Sequence, residues 1–432
     1  MVQSRASMDM AAEPRVSAMA AGLVGSEILK IAAEIRDRIR AGDAICNLTV
    51  GDFASKHFPI PVLLADAIRR ALERGETNYP PSDGVLELRQ AVARFYEREL
   101  HLHYGTDSIL IAGGARPAIY ATYRAVVDPG DAVLYPVPSW NNNHYCQMVG
   151  AESIAIPTDA KNSFMPTPSA LLAELSRARL VCLNTPLNPT GTAMSEDTLR
   201  TISEAIVEEN RSRERRGDRP VYLMYDQVYW MLRVAGVEHF TPPALVPEMA
   251  RYTIFVDGIS KAFAATGLRV GWAVGPPDVI GRMSAILGHV GAWAPRAEQV
   301  ATVELLEDHA GIVAYHGRFL QAIQARLDRL YAGFERMRAA GLPVESIAPA
   351  GAIYLTARFA PFGRRTPAGV ELRTNDDVRR YLLDAAHFAV VPFQAFGVAA
   401  EDGWFRLSVG AVSEEDIEAA LPRVQTALEA LR

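Results

Sequence analysis

Four short stretches of this chain end in residue types that could do chemistry, and each follows an apolar run. Lys261 closes Asp257-Gly-Ile-Ser-Lys261, directly after Thr253–Val256 (TIFV). A lysine amine is a nucleophile only when unprotonated, which near neutral pH needs burial or a cationic neighbour. Gly258, Ser260, Ala262, Ala264 and Ala265 crowd it with small residues, and Arg269 follows eight positions later. Asp226 and Tyr229 lie in Tyr225-Asp226-Gln227-Val228-Tyr229, at the end of Val221–Tyr225 (VYLMY). An acid at a strand tip is either a cap or a site group. Asn188 belongs to Asn184-Thr-Pro-Leu-Asn188-Pro-Thr-Gly191, whose composition by itself favours a turn. Ala112-Gly113-Gly114-Ala115-Arg116 joins a strand to a helix, where glycines let backbone N–H groups approach a phosphate. It is neither GxGxxG nor a Walker loop.

The elements that must position these groups are legible from hydrophobic patterning. Seven short apolar runs, at 108–112, 132–136, 152–156, 180–183, 221–225, 253–256 and 270–274, alternate with helical patterns such as Arg116–Val127 and Glu196–Asn210. Most lack the alternation of a half-exposed strand, as expected for a mostly parallel sheet covered by helices. The fold class is therefore α/β. Ligands in such sheets bind outside the strand C-termini, where the lysine, aspartate, asparagine and glycines fall. Past residue 300 a long helical pattern (310–337) is followed by AIYLTARF (352–359), a helix near 375–386, the runs AVVPF and WFRLSV, and a closing helix from Ser413 to Leu431. This predicts a smaller α+β domain. The expected division is an N-terminal arm over 1–25, a small domain from 26–57 and 305–432 that includes a helix at 26–40, and a large domain over 58–304. The mixed-charge stretch Glu204–Arg219 reads as the solvated end of a helix.

Composition excludes several classes. The 432 residues carry 44 Lys and Arg against 50 Asp and Glu, a net charge of −6, so there is no global electrostatic pull toward nucleic acid or anionic membrane. Three scattered cysteines, Cys46, Cys146 and Cys182, form no CxxC pair, and no HExxH occurs. Neither a disulfide scaffold nor a metal site is expected, and a reducing cytoplasm fits. No window reaches 18 consecutive apolar residues, and the start of the chain lacks the apolar core of a secretory signal.

The set of strand ends, in the order Gly-Gly, Asn, Asp, Lys, resembles that of the fold type I pyridoxal-phosphate-dependent enzymes, and within them the class I/II, aspartate aminotransferase-like family. Further motifs fall in order: NYPPSDGVLELR (78–89), DPGDAVLYPVPSW (128–140), NPTG (188–191), DQVY (226–229), SKAFAATGLRVGW (260–272) and FRLSVG (405–410). The resemblance covers about residues 26–432. It implies pyridoxal 5′-phosphate as cofactor, held as a Schiff base on Lys261. Asp226 would partner the pyridine nitrogen, and Tyr229 and Asn188 the ring hydroxyl, with Trp140 stacked on the ring. Arg269 and the turn at Gly114, Ala115 and Arg116 would cradle the phosphate. Tyr79 would reach the phosphate of a neighbouring subunit, which implies a homodimer with shared active sites. Arg406 would grip the substrate α-carboxylate, with Asn188 beside it and Gly51 in the segment covering the substrate. One departure is Gly258, where the family often carries Ser or Thr; Ser260 would supply the hydroxyl instead.

The implied activity is a transaminase of amino acid metabolism, moving an amino group from an L-amino acid to a 2-oxo acid. The donor is expected to be aspartate or glutamate, or an aromatic or neutral amino acid. Arg116 and Arg296 are the candidates for a distal carboxylate, and Tyr229, Trp230, Trp293 and Phe53 for an apolar side chain. The alternatives are a lyase or synthase using the same cofactor, and remotely a non-catalytic regulator that binds it. The regulator needs a DNA-binding domain that about 25 preceding residues cannot form.

Overall fold

The computed structural model describes residues 16–23, 25 and 27–432. Most of the arm expected over 1–25 lies outside the described residues, as does Ser26. Within the described part, Ser17 caps a short helix, Ala18–Gly22.

All seven expected runs form strands of one sheet. They are β1 (Ile109–Ala112), β2 (Ala132–Val137), β3 (Glu152–Pro157), β4 (Ala178–Asn184), β5 (Tyr222–Asp226), β6 (Thr253–Gly258) and β7 (Gly271–Val274). Their order is β1-β7-β6-β5-β4-β2-β3. Only β7 runs antiparallel to its neighbours β1 and β6. The central strands are buried on both faces because helices cover both. Ala115–Val126 and Pro277–Val290 lie on one side, placing Ala118, Tyr123 and Met283 against Val133, Ile254 and Val256. Leu86–Leu100 and Glu196–Arg216 lie on the other, placing Phe95 and Ile202 against Leu134, Leu223 and Phe255. The run at 152–156 departs from this pattern: β3 is the sheet edge, and its side chains are mostly exposed.

The register puts the chemistry in one row. Ala112 pairs with Gly271, and Gly271 with Gly258. Asn184 pairs with Asp226, and Asp226 with Val256. The Gly-Gly turn, Asn184, Asp226 and the start of the lysine turn thus share one edge of the sheet.

A second core is built on Tyr354–Phe359, Trp404–Ser408, Val391–Pro392 and Val344–Ile347, which form a four-stranded sheet. Helices His309–Ala339, Asn375–Ala386 and Glu414–Glu429 complete it. The last two begin in capping boxes, Thr374 with Asp377 and Ser413 with Asp416, so orphan N–H groups at each start are satisfied. Cys46–Asn47 pairs in parallel with Phe388–Ala389, which ties the segment before Gly51 to this core. The charged stretch at 204–219 ends a helix as expected. It is not uniformly solvated, because Asn210 and Arg213 are buried. Asn210 exchanges two hydrogen bonds with the Val221 backbone, and Arg213 donates to the Ser176 and Arg219 carbonyls.

Candidate active site

Lys261 lies in a four-residue helix, Ile259–Ala262, that follows β6 without a loop. Its Nζ donates to the Gly51 carbonyl at 2.7 Å and lies 5.9 Å from the Tyr229 ring centroid. Burial pushes its proton affinity down to about 8; Asp52 opposes the shift, and Arg406, Arg116 and Arg269 add to it. The expected neighbour Arg269 is thus one of three cations, and desolvation is the larger cause.

Asp226 ends β5 and accepts from the Val228 N–H at 3.2 Å. The cap role and a site role are compatible, because its other oxygen has no donor among the described residues. Burial raises this carboxyl to about 7. It lines a cleft together with Trp140, Tyr145, Asn184 and Ser139. A carboxylate desolvated this way without a counter-ion is poised for a cationic ring nitrogen.

Arg406 is 2% exposed, and no acid pairs with it among the described residues. One Nη donates to the Thr49 carbonyl at 2.6 Å and the other to Asn188 Oδ1 at 3.3 Å, while the buried Nε has no partner. Tyr354 and Phe396 flank the guanidinium with centroids at 4.9 and 5.0 Å. A buried cation without a counter-ion is costly unless an anion is supplied. Asn188 is itself held by its N–H donating to Asn184 Oδ1 at 2.8 Å. Tyr229 exchanges a hydrogen bond with Tyr354 at 2.7 Å between hydroxyls. A Cβ on Gly51 would come within 3.1 Å of the Tyr354 hydroxyl and 3.5 Å of Arg406 Nη1, so only glycine leaves this corner free.

The Gly-Gly turn delivers a helix N-terminus. Gly114 (φ 97°) precedes Ala115–Val126 with no side-chain cap, so the first N–H groups, those of Ala115 and Arg116, have no acceptor in their own helix. Arg269 donates to the Gly113 and Thr266 carbonyls at 2.9 and 2.7 Å. A side chain on Gly114 would overlap Arg269, and one on Gly271 would come within 2.7 Å of Ala115 N. Gly258 answers the departure noted above. Its Cβ would lie 2.7 Å from Gly271 Cα and 2.8 Å from the Val270 carbonyl, so no Ser or Thr fits there. Ser260, partly exposed, is the hydroxyl beside the lysine.

Trp140 lies under the Arg116 guanidinium, 4.4 Å from its ring centroid. Arg116 is exposed and has no ion-pair partner among the described residues, whereas Arg296 donates to Glu76 at 2.6 Å. Tyr79 is 84% exposed and packs edge-on against Trp293 at 5.3 Å. Two aromatics expected near a pocket are engaged elsewhere: Trp230 donates to Asp257, and Phe53 packs on Phe58 and Phe319. Sequence reasoning missed Asp52, Thr49, Tyr354 and Gly271. Asp52 and Thr49 lie far in sequence from every strand of the seven-stranded sheet. Tyr354 lies in an apolar run that reads only as core.

A planar anion bearing a phosphate, an aldehyde and a ring nitrogen fits this donor set: amine, carboxylate, indole and open helix N-terminus. Residues 43–424 match the family described as aminotransferase class I and II. An aspartate aminotransferase of Rhizobium meliloti is 32% identical over 94% of each chain. A probable aspartate/prephenate aminotransferase of Thermus aquaticus is 33% identical over 90% of this chain and 93% of its own. The crystal structure of an aspartate aminotransferase from Rhizobium meliloti superposes with a TM-score of 0.88 at 31% identity, covering 97% of this chain and all of that one. The chain belongs to the class I and II aminotransferases and is a pyridoxal-phosphate-dependent transaminase.

Proposed function

We propose that this transaminase takes its amino group from a dicarboxylic L-amino acid, aspartate or glutamate, with Lys261 as the covalent anchor of its cofactor. When bound, pyridoxal phosphate supplies the electron sink for breaking the substrate Cα–H bond. The chain's residues do the rest. Arg406 binds the α-carboxylate with its planar fork, which orients the substrate beside Asn188 and Gly51. Lys261 Nζ, as a free amine, would take the proton from the substrate Cα. Asp226 holds a proton on the ring nitrogen, and Tyr229 and Asn188 hold the ring hydroxyl. The N–H groups of Ala115 and Arg116, with Arg269 and Ser260, hold the phosphate, and Trp140 covers the ring. Carboxylate binding at Arg406 draws the segments 26–57 and 305–432 onto the domain formed by 58–304 and excludes water. Tyr79 completes the site of a second subunit in a homodimer, and the enzyme works in the cytoplasm.

The observation that carries the substrate reading is a pair of cations with no acid partner among the described residues, Arg406 buried and Arg116 exposed at the helix start. Arg296, the other candidate for a distal carboxylate, is already neutralised by Glu76. The Rhizobium and Thermus relatives are named for aspartate and prephenate, which fits a donor or acceptor with two acids. The test is a panel of donors against 2-oxoglutarate and pyruvate. Aspartate or glutamate is expected to exceed leucine and phenylalanine in kcat/KM by about 10- to 100-fold, the worth of one charge-assisted contact. Equal rates for leucine would reject the dicarboxylate reading. Lys261→Arg is expected to lose the visible absorbance of the bound cofactor and all turnover. A borohydride-stable adduct in that variant would assign the anchor to another lysine.

A further inference from the structure

Asp257 belongs to no part of the machinery above, yet it is 1% exposed as the fifth of the six residues of β6, following the apolar run Ile254–Val256. Strand alternation turns it to the face of Phe255, away from the row of Val256 and Gly258. There it sits among Tyr96, Trp230 and Trp272 of the large core. An unpaired carboxylate in that setting costs several kcal/mol unless donors surround it. Four do. Asp257 Oδ1 accepts from the Gly258 N–H at 2.7 Å. Asp257 Oδ2 accepts from Trp230 Nε1 at 2.9 Å, from the Tyr96 hydroxyl at 3.3 Å and from Gln227 Nε2 at 3.5 Å. The Tyr96 hydroxyl accepts in turn from Trp272 Nε1 at 3.3 Å and Gln227 Nε2 at 3.2 Å. Gln227 Oε1 faces His239 Nε2 at 3.1 Å. Among the described residues no cation belongs to the network, and Tyr96 and His239 are its only other titratable members. Burial raises the Asp257 carboxyl to about 7 against the pull of its donors.

The donors come from informative places. Gln227 and Trp230 bracket Tyr229 and follow Asp226. Gly258 is the residue from which the Lys261 turn starts, and Trp272 follows the glycine that abuts the helix start at Ala115. Apolar packing is tolerant of small slides between strands. Hydrogen bonds to one carboxylate are directional and are not.

We propose that Asp257 is a positioning residue for transamination, locking the strand tip that carries Lys261 to the tip that carries Asp226 and Tyr229. It touches neither substrate nor cofactor and acts through Gly258, Gln227 and Trp230. The proposal rests on the assignment of Lys261 and Asp226 above.

The test uses holoenzyme of Asp257→Asn, which swaps an acceptor for a donor facing other donors, and of Trp230→Phe and Gln227→Leu, which each remove one donor. Asp257→Asn is expected to lower kcat by about 10- to 100-fold, the effect of displacing a reacting group by about 1 Å. KM for the amino donor should stay within roughly 3-fold, since Arg406 is untouched. The pH midpoint of the bound cofactor's absorbance should move by more than about half a unit, and less in the two milder variants. In apoprotein, amide exchange at 258–262 should quicken while that of 222–225 does not. A fall in melting temperature with kcat within about twofold and an unmoved midpoint would show a merely structural carboxylate and overturn the proposal. If Asp257→Asn does not fold, the same two readouts on Trp230→Phe and Gln227→Leu decide it. Failure of the parent reading looks different: wild-type enzyme would then form no adduct at Lys261.

Discussion

A lysine at the bottom of a cleft and a lysine on a surface differ in how many chains present a free amine at a given pH. With a proton affinity lowered to about 8, roughly a quarter of Lys261 side chains are unprotonated at pH 7.5, against roughly one in a thousand for an ordinary lysine. Uptake of pyridoxal phosphate by apoenzyme should therefore quicken as pH rises through about 8 and level off above it. Stopped-flow absorbance reads this directly, and a midpoint near that of a free lysine would reject burial as the cause. The linkage has a matching sign. The folded apo chain holds fewer protons at Lys261 than the unfolded chain between about 8 and 10.5, so this group's contribution raises stability as pH climbs through that window. Arg406 differs from Lys261 in needing shape as well as charge. Arg406→Lys keeps the cation and loses the fork, so kcat/KM for the amino donor should fall by about 10- to 100-fold, the worth of ~1.5–3 kcal/mol. A KM within twofold of wild type in steady-state assays would remove the carboxylate role.

At the scale of elements, the site depends on how closely three backbones approach. Gly258, Gly271 and Gly114 leave no room for a Cβ between β6, β7 and the start of Ala115–Val126. Gly271→Ala would force its methyl to within 2.7 Å of Ala115 N, so the helix N-terminus must shift. We expect stability to fall by about 1–3 kcal/mol, as for other overpacked cores, and cofactor affinity to fall with it. Absorbance titration of apoenzyme checks this, and unchanged affinity would mean the helix start does not hold the phosphate. Strand identity was legible in advance because apolar runs and turn residues are local signals. Strand extent was less so: Lys261 reads as a loop residue, yet it sits in a helix that begins where β6 ends. The exposure of β3 was illegible, since only its place at the sheet edge leaves one side open.

For the whole molecule, exposed Tyr79 packs on half-buried Trp293, and in the homodimer proposed above it would reach the site of a second copy. The complementation test follows from that geometry. Lys261→Ala and Tyr79→Ala chains, each assayed at limiting cofactor, should recover activity when mixed, because the hybrid dimer carries one intact site. Additive rates with no recovery would place Tyr79 in its own subunit's affairs. Among the described residues no helix is long and apolar enough to cross a membrane, and none of their acidic, His or Cys side chains cluster as metal ligands.

By itself the sequence determined residue types at strand ends, the seven apolar runs and the turns between them, because each rests on neighbours within a few positions. Tertiary structure alone decided which groups are desolvated and what they face. Arg406 lies in the short run WFRLSV, and only the fold closes Thr49, Asn188, Tyr354 and Phe396 around it from distant parts of the chain. Asp257 follows the apolar run TIFV, and only the fold brings the Trp230 indole, the Gln227 amide and the Tyr96 phenol onto it from two other segments. Burial and partner geometry are sums over long-range contacts, and no local pattern encodes them.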